Sequence, residues 1–441
     1  MTLNGTDFPL DMAMTEFEKN KPVYDDSWRG TYLIIPIKVT PGKRFEPNGL
    51  RYIPFDSHVD ELSDKSDLLI RRCNSDYINK YVQSFNVSPF IFPLENGLTL
   101  SDLQIYLFEN GIGFLTLFTF CHNSQIHLIY QLVNNGYIGD QEGSDTYNRL
   151  YDAICDAIKP SNLEIFIKNK SILLNESYIF NLALVRERFQ NLETIEQLAL
   201  NVHKQIDLSS SFYDNSEKDI RYTYGARDVN KKTYRWGCCI STLDISYVYQ
   251  SGILSEPGIE QKPKRIHDEM LQTSASDLLL TILVLIQKFT CMQLNENIHS
   301  EIYEKRSMAS RISRKIMQNL KHQVLEFRAF GTLAPSQVSR WNNVCETYRG
   351  LLEVLGVNEA LSEIEEKIDL LNSEQERRSA DFQNRLSLLI AVFGLISIVA
   401  AVLTIVDLVA TGSAAIVLSL IISSVAILVA CLFWIVRSFR K

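Results

Sequence analysis

The chain has 441 residues, 22% of them charged, with a net charge of −8 and a mean hydropathy close to zero. Those averages describe an ordinary soluble protein, and the lack of a long basic run argues against a duplex DNA binder. They conceal a division, because from Leu386 to Val436 the only charged side chain is Asp407.

The first residues are acidic and hold no apolar core, so no signal peptide is expected there. Residues 1 to about 30 show no periodicity and are expected to be extended. "TYLIIPIKV" (31–39) predicts a strand rich in branched residues, and "GLRYIPFD" (49–56) a second. "SFNVSPFIFPL" carries prolines and reads as an edge strand or loop. "LQIYLFENGIGFLTLFTF" has two apolar runs around Asn110-Gly111, a favoured tight turn, and predicts a hairpin over 103–108 and 112–120. "GSDTYNRLYDAICDAIKP" fits a helix ending before Pro160. "NESYIFNLALV" and "DISYVYQ" read as two further strands. Residues 1–255 are therefore expected to form a cytosolic α+β domain. Eight scattered cysteines without a CxxC pair suit reduced thiols in such a domain, and adjacent Cys238 and Cys239 read as small buried residues.

"SEPGIEQKPKR" (255–265) is polar, carries two prolines and is the expected linker. Helix dominates afterwards, and residues 256–357 read as an antiparallel helical segment. The apolar core Leu278–Ile286, bounded by Asp277 and Lys288, is too short to span a bilayer. "PSQVSRWNNVCETYRGLLEVLG" predicts one helix closed by Gly356. From Glu359 to Val406 there is no Pro and only Gly394, so one unbroken helix capped by Asn358 is expected, roughly 75 Å long at about 1.5 Å per residue. Its portion 358–385 reads as a stalk. Leu361, Ile364, Ile368, Leu371, Gln375, Arg378 and Phe382 follow a heptad-like seam that either seeks a partner helix or is a solvated face.

About 20 apolar residues cross a bilayer core. Residues 386–410 and 414–436 meet that length, with an outer loop at 411–413 and a tail at 437–441, so a transmembrane hairpin is expected. Arg377, Arg378 and Arg385 before it, and Arg437, Arg440 and Lys441 after it, place both termini in the cytosol. The short connection containing Asp407 then faces outward, and the compartment is a cell inner (plasma) membrane. Ser387, Gly394, Ser397, Ala401, Thr404 and Asp407 share one helical stripe with Ile390 as its large member. Leu389, Val392, Phe393, Ile396, Val399 and Leu403 lie opposite. Small residues at this spacing suit close helix packing; small and hydroxyl residues with an acid at the mouth also suit a cation pathway. Two helices per chain cannot enclose water, so a pore requires several subunits.

The arrangement of α/β domain, antiparallel helices, long stalk running into the first span and a second span resembles the CorA-like transporter superfamily. Residues 268–441 carry the resemblance, with "NSEQERRSADFQNRLSLLIAVFGLISIVAAV" similar to the stalk-to-membrane transition. It implies a homopentameric, funnel-shaped ion pathway lined by the first span. The family's Gly-Met-Asn filter is absent; Val406–Ser413 stands in its place, so Mg²⁺ selectivity does not carry over. Family members without that filter include membrane effectors of type III CRISPR antiviral systems. There a nucleotide second messenger, such as an S-adenosylmethionine–AMP conjugate, acts on the membrane protein.

A nucleotide site needs cations for phosphate and flat rings for the base. "RYTYGARDVNKKTYRWG" (221–237) is the densest such cluster, with Arg221, Tyr222, Tyr224, Arg227, Lys231, Lys232, Tyr234, Arg235 and Trp236. Alternation over Lys232–Trp236 would split charges and rings between two faces of a strand; an exposed hairpin with snorkelling basic residues is the other reading. Arg71-Arg72 and Arg186/Arg188 are weaker candidates. Glu363, Glu365, Glu366 and Asp369 could hold a divalent cation between subunits or form a solvated face. P-loop, Gly-rich dinucleotide, HExxH and GxSxG motifs are all absent, and the seven histidines are dispersed. The expectation is therefore no enzyme. It is an oligomeric CorA-like channel or effector whose partners are the bilayer, further copies of itself and a nucleotide, with no direct nucleic acid. A divalent metal (Mg²⁺/Co²⁺) transporter with an altered filter and a non-conducting membrane scaffold are the alternatives.

Overall fold

The computed structural model describes residues 27–53, 82–126 except 88, 95 and 96, 128–129, 146–166, 177–186, 192–204, 221–228, 233–306, 314–328, 332–339, 341–410 and 418. The chain divides into two units, residues 1–311 with 319–365, and residues 312–318 with 366–441.

The first unit is α+β. Its described strands are β1 (Trp28–Val39), β2 (Arg51–Ile53), β3 (Val82–Asn86), β4 (Ile91–Pro93), β5 (Thr99–Phe108), β6 (Ile112–His122), β7 (Leu163–Ile165), β8 (Tyr178–Val185), β9 (Arg221–Asp228), β10 (Thr233–Ile240) and β11 (Asp244–Gln250). They form one sheet in the order β2-β3-β5-β6-β1-β8-β11-β10-β9, with β4 beside β5 and β7 beside β1. Only the β8–β11 pairing is parallel among the described strands.

The predicted hairpin forms as β5 and β6. Gly111 takes the left-handed conformation (φ +80°) that the tight turn needs. Asn110 accepts the Ile112 N–H at 3.1 Å and donates to Thr290 Oγ1 at 2.8 Å. Strands β6 and β8 are apolar almost throughout because both faces of the sheet are covered. One face carries Leu33, Ile35 and Ile37 against Leu150, Ile154 and Ile158 of α1 (Thr146–Ile158). Further along that face, α2 (Leu192–Lys204) packs Ile195, Leu198 and Val202 against Ala183 and Val248. The other face carries Tyr32, Phe118, Phe180 and Tyr247, covered by α3 (Pro263–Arg306).

Helix α3 is apolar enough to cross a membrane by composition, yet 72% of its apolar window is buried. Its hydropathy is that of a core helix. The expected linker is packed as well. Residues 253–261 form two short 3-10 turns with Leu254 and Ile259 buried, and α3 starts at Pro263, a favoured first helical position. Helix α4 spans Arg314–Glu326.

The single helix expected around Trp341 is two. Pro335–Val338 forms a short α5, the chain opens at Trp341, and α6 runs Asn342–Val354. Trp341 has extended backbone (φ −93°, ψ 125°), which no helix interior adopts. Gly356 closes the segment with φ +64°, as expected. Helix α7 then starts at Val357, so Asn358 lies inside it and is no cap.

Helix α7 (Val357–Ala410) is unbroken for 54 residues, about 80 Å at about 1.5 Å per residue. Residues up to Glu365 belong to the first unit and the rest to the second. Along the expected seam Ile364 and Ile368 are buried, Leu361 and Leu371 half-buried, and Phe382 exposed; the side chains of Gln375 and Arg378 lie outside the described part. Within Ala380–Val406 an 18-residue window has a mean hydropathy of 2.9, and none of that window is buried within the protein. Such a helix is long enough to cross a membrane. The second expected span, 414–436, lies outside the described residues apart from Leu418.

Candidate functional site

At one end of the sheet, β9 and β10 form the hairpin expected from residues 221–237, with α6 across its face. Gly225 lies directly under the Trp236 indole; a Cβ there would sit 2.1 Å from Nε1. A Cβ on Gly350 of α6 would sit 3.0 Å from Ile240 Cδ1, a tight approach, and 3.7 Å from Arg221 Cβ, an ordinary contact. Thr223 and Thr347 hydroxyls bond at 2.8 Å, and Arg221 pairs with Glu353. These contacts seat α6 on the sheet.

Beyond the N-terminal end of α6 a cleft of about 810 Å³ opens. From the sheet it is lined by Tyr222, Thr223, Tyr224, Gly225, Arg235 and Trp236; from the helix side by Trp341, Asn342, Asn343 and Glu346. Tyr224 (40%) and Trp341 (46%) expose aromatic surface, whereas Trp236 (8%) is part of the core beneath. Burial pushes the Tyr222 hydroxyl above the usual phenol range. Tyr249 beside Trp236 donates to Asp277 at 2.6 Å. Burial drives its hydroxyl far up, Asp277 adds to the rise, and the Arg235 guanidinium opposes it. Arg349 holds Glu346 at 2.5 Å. The cleft thus offers flat apolar walls, one exposed guanidinium, a held carboxylate and two side-chain amides. That chemistry suits a planar ring carrying an anionic group.

Of the residues singled out from sequence, Tyr222, Tyr224, Arg235 and Trp236 line this cleft. Arg221 is engaged by Glu353 instead, and Tyr234 packs edge-on to Tyr224 with ring centroids 5.2 Å apart. The expected alternation fails between Thr233 and Trp236, because register shifts interrupt β10 there. Arg227 lies in β9 with its side chain outside the described part; Lys231, Lys232, Arg71, Arg72 and Arg188 lie outside the described residues. Arg186 donates to the Leu254 carbonyl at 2.8 Å and borders a smaller cavity of about 330 Å³ with Trp28, His122 and Glu260.

No protein-family model matches the chain, and no curated protein matches it either. The reading of the site therefore rests on geometry.

On α7, Ser387, Ile390, Gly394, Ser397 and Ala401 are exposed. Of the opposite face, Leu389, Phe393 and Ile396 are half-buried while Val392, Val399 and Leu403 are exposed, so cover does not separate the two faces. Thr404 is also half-buried and donates to the Ala400 carbonyl at 2.7 Å, which satisfies its hydroxyl within the helix. A Cβ on Gly394 would meet nothing. Asp407 belongs to the helix and not to a loop, since α7 continues to Ala410.

Two other polar groupings do less. Among the described residues no cluster of His, Cys, Asp or Glu could hold a metal, and Glu365 pairs with Arg328. His203 and Asp244 are buried 2.6 Å apart, but Ser241 and Ser246 both donate to the Asp244 carboxylate, at 2.6 and 2.7 Å. Both hydroxyls are committed to the acid, which makes the group a structural knot tying α2 to β11.

Sequence reasoning missed Trp341, Asn342, Asn343 and Glu346. The Asn pair carried a signal, because asparagine is poor inside helices and common where they begin.

Proposed function

We propose that the chain is an oligomeric membrane channel or effector of CorA-like architecture, in which the α+β domain receives a nucleotide second messenger and α7 lines the ion pathway. The exposed apolar stretch Ala380–Val406, on a helix whose first turns belong to the α+β unit, carries the proposal. Exposed apolar surface of that length is costly in water and favourable in lipid. The flanking arginines favour an inner-membrane location with both termini cytosolic. A single spanning helix cannot enclose water, so copies of α7, five by analogy with the superfamily, surround the axis. The face of Ser387, Ile390, Gly394, Ser397, Ala401 and Thr404 turns toward it. Asp407 then forms an acidic ring at one mouth and attracts cations. The cleft around Arg235, Tyr224 and Trp341 takes the nucleotide, of the S-adenosylmethionine–AMP type or a relative in type III CRISPR defence. The proposal gives the chain no catalytic role.

Planar-bilayer recording on the purified full chain tests this. Nucleotide-dependent single-channel currents are expected, with a several-fold lower cation-to-anion permeability ratio in Asp407→Asn. Mg²⁺ or Co²⁺ uptake without any nucleotide response would replace the proposal with a divalent-cation transporter. Neither current nor uptake would leave a membrane scaffold.

A further inference from the structure

Where α7 approaches its apolar stretch, the charges change sign. Glu374 and Glu376 give way to Arg377 and Arg378, and Arg385 stands just before Leu386, with Asp381 the one acid between. Arg377 and Arg385 are exposed, and neither pairs with a carboxylate among the described residues. By contrast, Arg221, Arg265, Arg328 and Arg349 each hold a nearby glutamate.

A second basic pair sits at the same height. Helix α4 opens on Arg314 and Lys315. Residues 312–318 belong with α7 beyond Glu366 to one compact unit. The register comes from the other end of α4, where Arg328 pairs with Glu365. Going back along α4 leads forward along α7, so the two run antiparallel. Arg314 lies roughly 21 Å back from Arg328 at about 1.5 Å per residue, and the same distance forward from Glu365 ends near Ser379. The candidate span begins at the next residue, Ala380. Two short basic runs, on two helices, therefore meet at the foot of the apolar stretch. Lipid headgroups occupy that level, and cations within a Debye length of an anionic leaflet are drawn to it.

We propose that the Arg314-Lys315 start of α4, with Arg377 and Arg385 of α7, is a docking surface for anionic phospholipid headgroups of the cytosolic leaflet. This rests on α7 crossing the bilayer. Cations that outnumber acids suit a phosphodiester layer, and their place beside the first apolar turns brings lipid to them.

Full-length protein is compared in nanodiscs of phosphatidylcholine alone and of phosphatidylcholine mixed with phosphatidylglycerol, with backbone hydrogen exchange read over residues 314–326. Phosphatidylglycerol is expected to slow exchange in the first turns of α4 by about tenfold, within what two cations gain at an anionic surface. High salt should remove the slowing. The combined Arg314→Gln and Lys315→Gln variant should lose it, glutamine being a good helix former, whereas Arg314→Lys should keep it. Exchange over the β5–β6 hairpin should be the same in both lipids. Equal exchange over α4 in the two lipids, or slowing that survives the double glutamine variant, overturns the proposal. So does slowing in phosphatidylcholine alone on addition of inorganic phosphate, which would make the surface one for free anions. Leu395→Trp in the exposed apolar stretch reads the span separately, by quenching with lipids brominated in their acyl chains. Quenching of that tryptophan without any lipid effect on α4 sinks the docking surface and keeps the span; no quenching sinks the span itself.

Discussion

Trp236 is held by a neighbour with no side chain. A Cβ at Gly225 would lie 2.1 Å from the indole nitrogen, so Gly225→Ala must move the ring or the strand. We expect a loss of about 1–3 kcal/mol in chemical denaturation, the usual cost of overpacking, and an altered indole emission. Glu269 gives the protein a pH dependence. Burial raises its carboxyl above the usual range, partly offset by the Ser251 hydroxyl donating at 2.5 Å and by Arg235. A folded-state pKa raised above the unfolded one means the folded form binds the proton more tightly. That stabilisation is complete below the unfolded pKa and is lost as pH rises through the folded pKa. Glu269→Gln should therefore be more stable than the parent at neutral pH, with the gap closing as the medium is acidified through the carboxylate range. Denaturation midpoints between acid and neutral pH measure this.

At the scale of elements, hydropathy alone does not separate α3 from α7. Both pass a length-and-composition test for spanning, yet α3 lies on the sheet with Leu280, Ile282 and Val284 fully buried. Leu280→Ala should cost about 2–5 kcal/mol as a core cavity, read by denaturation of the full chain. The hairpin of β5 and β6, the helix α1 and the long α7 were legible because each has a strong local period or a decisive turn residue. The break at Trp341 was not, because an apolar helical pattern runs across it, whereas the first helix stops at Val338 and the next begins at Asn342 after extended backbone at Trp341. The cleft was half legible for the same reason. Tyr224, Arg235 and Trp236 lie close together in sequence, whereas Trp341 and Glu346 reach them only through the packing of α6 on β9. The bulges in β10 were invisible too, since a register shift leaves no mark on composition.

For the whole molecule, the claim is that Ala380–Val406 crosses a bilayer with its small-residue face turned to a shared aqueous axis. The long helix common to both units agrees with this. The most direct measurement is cysteine accessibility in proteoliposomes, using a membrane-impermeant maleimide on a cysteine-free background. Single cysteines at Ser387, Gly394, Ser397 and Ala401 should label and, once labelled, block cation flux; cysteines at Leu389, Val392, Ile396 and Val399 should not label. Uniform labelling of both faces, or labelling of the second set alone, would contradict the account.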